Sequence, residues 1–107
     1  MEKSFDRAQY LRFVAANTMK KEGYEVYALP LTSVKHVPHL IAYRNDVFYH
    51  IYLFESHNEK AALFKGTTEE KIFEYAKIMN AKILTGIIHV VSPGEGLSLI
   101  LTSSDEC

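Results

Sequence analysis

The chain predicts a mixed α/β fold, with helices flanking a mixed β-sheet in the order α-β-β-β-α-β-β. Three observations carry this. Two segments, 5–19 and 67–81, repeat apolar residues at three- and four-residue spacing, as amphipathic helices do. Two β-rich runs, "HLIAY" and "VFYHIYLFE", are split by a short turn. A third run, "KILTGIIHVV", is apolar on both faces, as a strand held between two neighbours is.

The elements follow in order. Ser4 can cap a first helix whose stripe is Phe5, Ala8, Leu11, Val14, Ala15 and Met19, and "KKEG" ends it. The lysines suit the negative end of the helix dipole, and Gly23 can take the left-handed conformation just past the last turn. "YEVYALP" is a strand stopped by Pro30, and "LTSVKHV" is a loop or irregular edge strand. The hairpin turns through "RND", whose residues tolerate a left-handed backbone. "SHNEKAALFKG" reads as loop with one short element. "TTEEKIFEYAKIMNA" is the second long helix, with Thr67 and Glu70 in capping-box relation and Ile72, Tyr75, Ala76 and Met79 as its stripe. The buried strand, a turn at "SPGEG" and a last strand "LSLIL" complete the series.

At 107 residues, 48% of them apolar and 23% charged, the chain is read as one domain over 1–107, with 102–107 as a flexible tail. Its one cysteine, Cys107, permits no internal disulfide and no cysteine-based zinc site, which suits a reducing, cytoplasmic setting. No apolar run reaches membrane-spanning length, and "MEKSFDRAQYLRF" is too charged for a signal peptide. A net charge of −1 argues against an extended footprint on duplex nucleic acid but allows a local basic patch.

Several familiar chemistries are missing. No phosphate-binding glycine loop follows a strand, and the serines lie in no "GxSxG" context. Gly66, Thr67 and Thr68 do open a helix, where backbone N–H groups can hold an anion. The five histidines show no helical i, i+4 pair, and no metal site is predicted, though His39 and His50 can meet across the hairpin. The tyrosines of the strands can stack on bases or fill a core or oligomer interface, and the latter is the commoner use.

The element order and the hairpin text together resemble the restriction-endonuclease-like fold. Its PD-(D/E)xK nucleases, which include archaeal Holliday-junction resolvases, open with a helix ending in "GY.V". They run through a "P-D-L-I-A" strand and return with an acid-x-lysine strand. Here "KKEGYEV" matches the first piece and "PHLIAYRNDVFYHIYLFE" resembles the second. The position of the metal-binding aspartate reads His39, and the returning strand is aromatic and aliphatic through Phe54. Glu55 is followed by Ser56 and His57, so no lysine completes the motif. The resemblance thus implies a nuclease-like domain without the carboxylates that hold Mg²⁺, using no cofactor.

The tRNA-splicing endonucleases share that fold and use no metal. Their tyrosine, histidine and lysine triad is resembled by Tyr43, His50 and Lys82, although His39-Leu40 stands where the family has aspartate-phenylalanine. In that chemistry the histidine is a general acid–base, the tyrosine orients a ribose 2′-hydroxyl, and the lysine stabilises the phosphorane-like charge. Alternation places His39, Ile41 and Tyr43 on one face of their strand, and Phe48, His50, Tyr52 and Phe54 on one face of the next. Whether those faces coincide decides whether His39, Tyr43 and His50 gather.

The resulting expectation is a nuclease-like, nucleic-acid-associated or structural subunit of a homo- or hetero-oligomer. RNA or DNA would be met by Arg44, Lys35 and Lys65. The alternatives are a protein-interaction module with no catalysis, and a metal-independent RNA endonuclease.

Overall fold

Helix α1 (Arg7–Lys21) ends as its sequence dictates. The Tyr24 N–H donates to the Met19 carbonyl (3.2 Å) and the Gly23 N–H to that of Lys20 (3.1 Å), the paired bonds of a Schellman motif. Gly23 sits at φ +98°, where a Cβ is strained. Gly23→Ala is expected to cost about 1 kcal/mol in a urea melt; no shift of the midpoint would mean the turn relaxes freely. The computed structural model describes residues 7–29, 34–92 and 96–103, so the expected Ser4 cap, the Pro30 stop and much of the "SPGEG" turn lie outside the described residues.

Strand β1 (Glu25–Ala28) is followed by the hairpin of β2 (Leu40–Arg44) and β3 (Val47–Phe54). Asn45 and Asp46 both have positive φ, 54° and 66°, the signature of a two-residue type I′ turn that matches strand twist. Helix α2 (His57–Leu63) is short, with Ser56 as N-cap accepting from the Glu59 N–H. Helix α3 (Gly66–Ile78) follows, then β4 (Ala81–Ser92) and β5 (Gly96–Ser103). The observed order, α-β-β-β-α-α-β-β, is the predicted one with the ambiguous segment resolved as α2.

Two boundaries move. Helix α3 starts at Gly66 with Lys65 as N-cap and no side-chain cap bond, so the Thr67–Glu70 capping box does not form. Gly66, at φ +58°, turns the chain sharply out of α2 and lets the helix begin before Thr67. Thr102 and Ser103, expected in a tail, pair in β5, and 104–107 lie outside the described residues.

The five strands form one sheet in the order β1-β2-β3-β4-β5. Only the β3–β4 pairing is parallel, as the helical crossover between them requires. Strand β4 is therefore interior, as its two-sided hydrophobicity predicts. Each face has its own core. Leu11, Ala15, Ala16 and Met19 of α1 pack on Val26, Leu40, Ala42, Ile51 and Ile88. On the other face Ile72 and Ala76 of α3 pack on Tyr52, Phe54, Ile83 and Ile87. Alternation along β3 accounts for the division: Ile51 serves α1, while Tyr52 and Phe54 serve α3.

Candidate functional site

Where β2 begins and β3 ends, the sheet opens into a cleft. A cavity of about 170 Å³ lies there, lined by Arg12, His39, Glu55 and Glu59 with Leu11, Leu53, Phe54 and Ile88. It shares Arg12, His39, Leu53, Phe54 and Glu59 with a wider hollow of about 600 Å³ that also takes in Lys35, Lys65 and Thr68.

His39 is held there by the chain itself. Buried Pro38 precedes it, and its N–H donates to the Ile51 carbonyl at 2.9 Å, continuing the hairpin ladder. Its Nδ1 accepts from the Leu53 N–H at 2.7 Å. A nitrogen that accepts carries no proton, so the ring is neutral with its proton on Nε2. Burial first, and then the Arg12 charge, lower its pKa from 6.5 to about 4. Tyr52 and Phe54 meet the ring edge-on, with centroids 6.1 and 6.3 Å away.

Arg12 reaches the cleft from α1, where it is buried and donates to the Leu29 carbonyl. Lys35 comes from the loop before β2, a loop tied down where the Tyr52 hydroxyl donates to the His36 carbonyl. Lys65 and Thr68 come from the start of α3. Glu59 is partly committed: its Oε1 accepts from the Glu55 N–H at 2.8 Å. Among the described residues no group of three His, Cys, Asp or Glu converges to hold a metal ion. The cleft sets the cations Arg12, Lys35 and Lys65 beside the carboxylates Glu55 and Glu59, and the cations can pair with an anion.

The faces of β2 and β3 do coincide, for Ile41 pairs with His50 and Tyr43 with Phe48. The residues are nevertheless strung along that face rather than gathered. Tyr43 stands at the end away from His39, its hydroxyl donating to Asp46 Oδ1 at 2.9 Å and its ring tilted against Phe48 at 4.7 Å. The Asp46 hydrogen bond and charge raise its pKa, the reverse of what a phenolic base needs. His50 is 1% exposed beneath Tyr75 of α3, ring centroids 5.1 Å apart. Its Nδ1 has no hydrogen-bond partner, and burial lowers its pKa.

Lys82 is the parallel partner of Tyr49, so it stands on the α1 face, while His50 pairs with Ile83 on the other. The structure therefore does not bring Tyr43, His50 and Lys82 together. Of the basic candidates, Lys35 and Lys65 share the cleft, but Arg44 does not line it. Its guanidinium donates to the Glu22 carbonyl at 3.1 Å and lies 4.8 Å from the Tyr24 ring centre, fastening β2 to the end of α1.

Arg12 is the cleft residue that pattern reading passes over. Its signal was present: it lies four residues after Ala8 and three before Ala15, inside the apolar stripe, where a charge must find a partner.

No protein-family model matches the chain, and no curated protein does. Among solved structures, it is similar to Hjc of Archaeoglobus fulgidus, a Holliday junction resolvase from an archaeal hyperthermophile. The TM-score is 0.60 at 9% identity, over 85% of this chain and 72% of that one. The likeness shows the fold, which is restriction-endonuclease-like. Among the described residues no helix is long and apolar enough to cross a membrane.

Proposed function

We propose that this chain is a nuclease-like, nucleic-acid-associated domain that grips phosphate directly through cationic side chains. The observation that carries this is the meeting of three cations, Arg12, Lys35 and Lys65, with His39 and one acid, Glu59, around one hollow in a chain of net charge −1. The hollow lies beside His39, the position at which the fold resemblance expects a metal-binding aspartate. Positive side chains there supply the charge that a bound cation would otherwise contribute. The neutral His39 adds a hydrogen-bond donor, and the start of α3, without a side-chain cap, adds backbone N–H groups. The structural neighbour's action on a four-way DNA junction supports nucleic acid as the polyanion. Assembly into an oligomer and kinship to tRNA-splicing endonucleases belong to the same reading. Cleavage through Tyr43, His50 and Lys82 lacks a geometry that would favour it.

Binding of fluorescein-labelled single-stranded RNA, single-stranded DNA and a four-way junction, all in EDTA, tests the proposal. Affinity should fall steeply with salt, and Lys35→Glu with Lys65→Glu should weaken it at least about tenfold. Loss of two phosphate contacts should also flatten the log–log salt dependence by roughly 1.4 to 1.8. Binding that needs Mg²⁺, or that ignores the double substitution, would overturn the reading.

A further inference from the structure

A phosphate grip leaves one side chain of the hollow without a use. Glu59 lines it together with Arg12, Lys35 and Lys65, and a carboxylate repels phosphate. The adjoining cavity of about 170 Å³ departs from a simple anion site in a second way. Leu11, Leu53, Phe54 and Ile88 form its walls, and Arg12, His39, Glu55 and Glu59 are its polar groups. An apolar chamber with a few placed polar groups suits a small organic group rather than a bare ion. Cavities of about 150 Å³ walled by leucine, isoleucine and phenylalanine take one aromatic ring. Here the opening into the wide hollow leaves room for a second.

The polar groups are sorted by kind. His39 accepts from the Leu53 N–H through Nδ1, so its other nitrogen is a donor, as is the whole Arg12 guanidinium. Glu59 only accepts. Its Oε1 holds the Glu55 N–H at 2.8 Å, and a carboxylate has about four acceptor sites, so others remain. A matching ligand presents N–H donors to the carboxylate, acceptors to the imidazole and guanidinium, and flat faces to the walls.

We infer that the cavity receives an unpaired guanine base whose phosphate lies against Lys35 and Lys65. The inference rests on the phosphate reading and deepens it by naming the nucleotide. Among the four bases only guanine sets two N–H donors side by side, at N1 and N2, and a carboxylate accepts such a pair in parallel. Its O6 and N7 are the acceptors that arginine commonly takes. Uracil and thymine offer one N–H between two carbonyl oxygens, which a carboxylate repels. Pairing with cytosine occupies N1 and N2, so the base must be single-stranded or turned out of its duplex. An aliphatic side chain from a peptide is the poorer occupant, because it leaves Glu59 and the His39 N–H unanswered.

Guanosine and inosine 5′-monophosphates differ only in the N2 amino group, and titrating each into isotope-labelled protein isolates its effect. The Leu53 amide, bonded to His39, reports the site by its chemical shift. The guanine nucleotide is expected to bind at least about tenfold tighter, the discrimination of one bidentate pair. Glu59→Gln should bring the two nucleotides together with an unchanged circular dichroism spectrum. The amide keeps an oxygen for the Glu55 N–H but presents donors as well as an acceptor. Lys35→Glu with Lys65→Glu should weaken both nucleotides alike and leave their ratio intact. Equal affinities for the unsubstituted protein, a ratio that survives Glu59→Gln, or shifts that miss Leu53 would overturn the inference. So would no binding of either nucleotide at millimolar concentration. The phosphate reading fails separately, if the double lysine substitution changes neither affinity.

Discussion

Tyr52→Ala is expected to lose ~3–5 kcal/mol of stability, enough to leave a marginal domain of this size largely unfolded. Tyr52 is fully buried in the α3-side core, meeting Phe64 edge-on at 5.6 Å and His39 at 6.1 Å. Truncation therefore removes a large apolar body and leaves a cavity that β3 and α3 cannot both collapse to fill. Its hydroxyl has a second role, donating to the His36 carbonyl in the loop that carries Lys35. Burial, and then the neighbouring Tyr75, push the phenol well above its ordinary pKa, so it remains a donor.

Tyr52→Phe separates the two contributions. It keeps the ring and should cost only about 1 kcal/mol, the usual net worth of one hydrogen bond. It also releases the Lys35 loop from its anchor, so oligonucleotide affinity should drop by more than the stability change implies. Equal midpoints for the Ala and Phe proteins in urea would refute the packing argument. Unchanged affinity in the Phe protein would refute the anchoring argument.

Much of this architecture was legible because local rules and tertiary packing agree. The stripe of α1, the Gly23 stop and the Asn45–Asp46 turn each state their own structure. Helix α2 was not legible as such, because it buries none of its residues and so shows no stripe. Its one local sign was the Ser56-to-Glu59 spacing of a capping pair. The start of α3 was misplaced because Thr67 and Glu70 suit a cap whose position the bend at Gly66 overrides.

The site divides in the same way. Lys35 and Lys65 are distant in sequence, and only the crossover brings them to one hollow. The separation of His50 from Lys82 rests on register. A parallel β3–β4 pairing shifted by one residue would have put Lys82 on the face of His50, and no pattern within either strand reveals that shift. The chemistry of His39 was half visible. The text shows a histidine where the resemblance expects an aspartate, but not that Leu53 fixes its tautomer.

Stability should fall between pH 7 and pH 5, by about 2 to 4 kcal/mol, because His39 and His50 are both held neutral in the fold. In the unfolded chain each takes a proton near pH 6.5. Folded, His39 resists protonation down to about pH 4, and burial lowers the pKa of His50 as well. Below 6.5 the unfolded state therefore binds more protons than the native one, and ΔG of unfolding rises with pH, by at most about 1.4 kcal/mol per unit for each histidine. The contribution is complete above pH 6.5 and drains away as pH falls toward the folded values. The causes differ between the two. His39 has lent Nδ1 to Leu53 and lies beside Arg12, whereas His50 is enclosed under Tyr75 with an unpartnered nitrogen. His50→Leu should then raise stability at pH 7 by roughly 1 kcal/mol, since it removes an unsatisfied polar atom from the core. It should also flatten the pH slope. His39→Asn should flatten it further, with the amide oxygen able to take over the Leu53 N–H. Urea melts of the wild type and the two variants at pH 7 and pH 5 decide the matter. Equal midpoints for the wild type at both pH values, or an unaltered slope in both variants, would show that other groups govern acid stability.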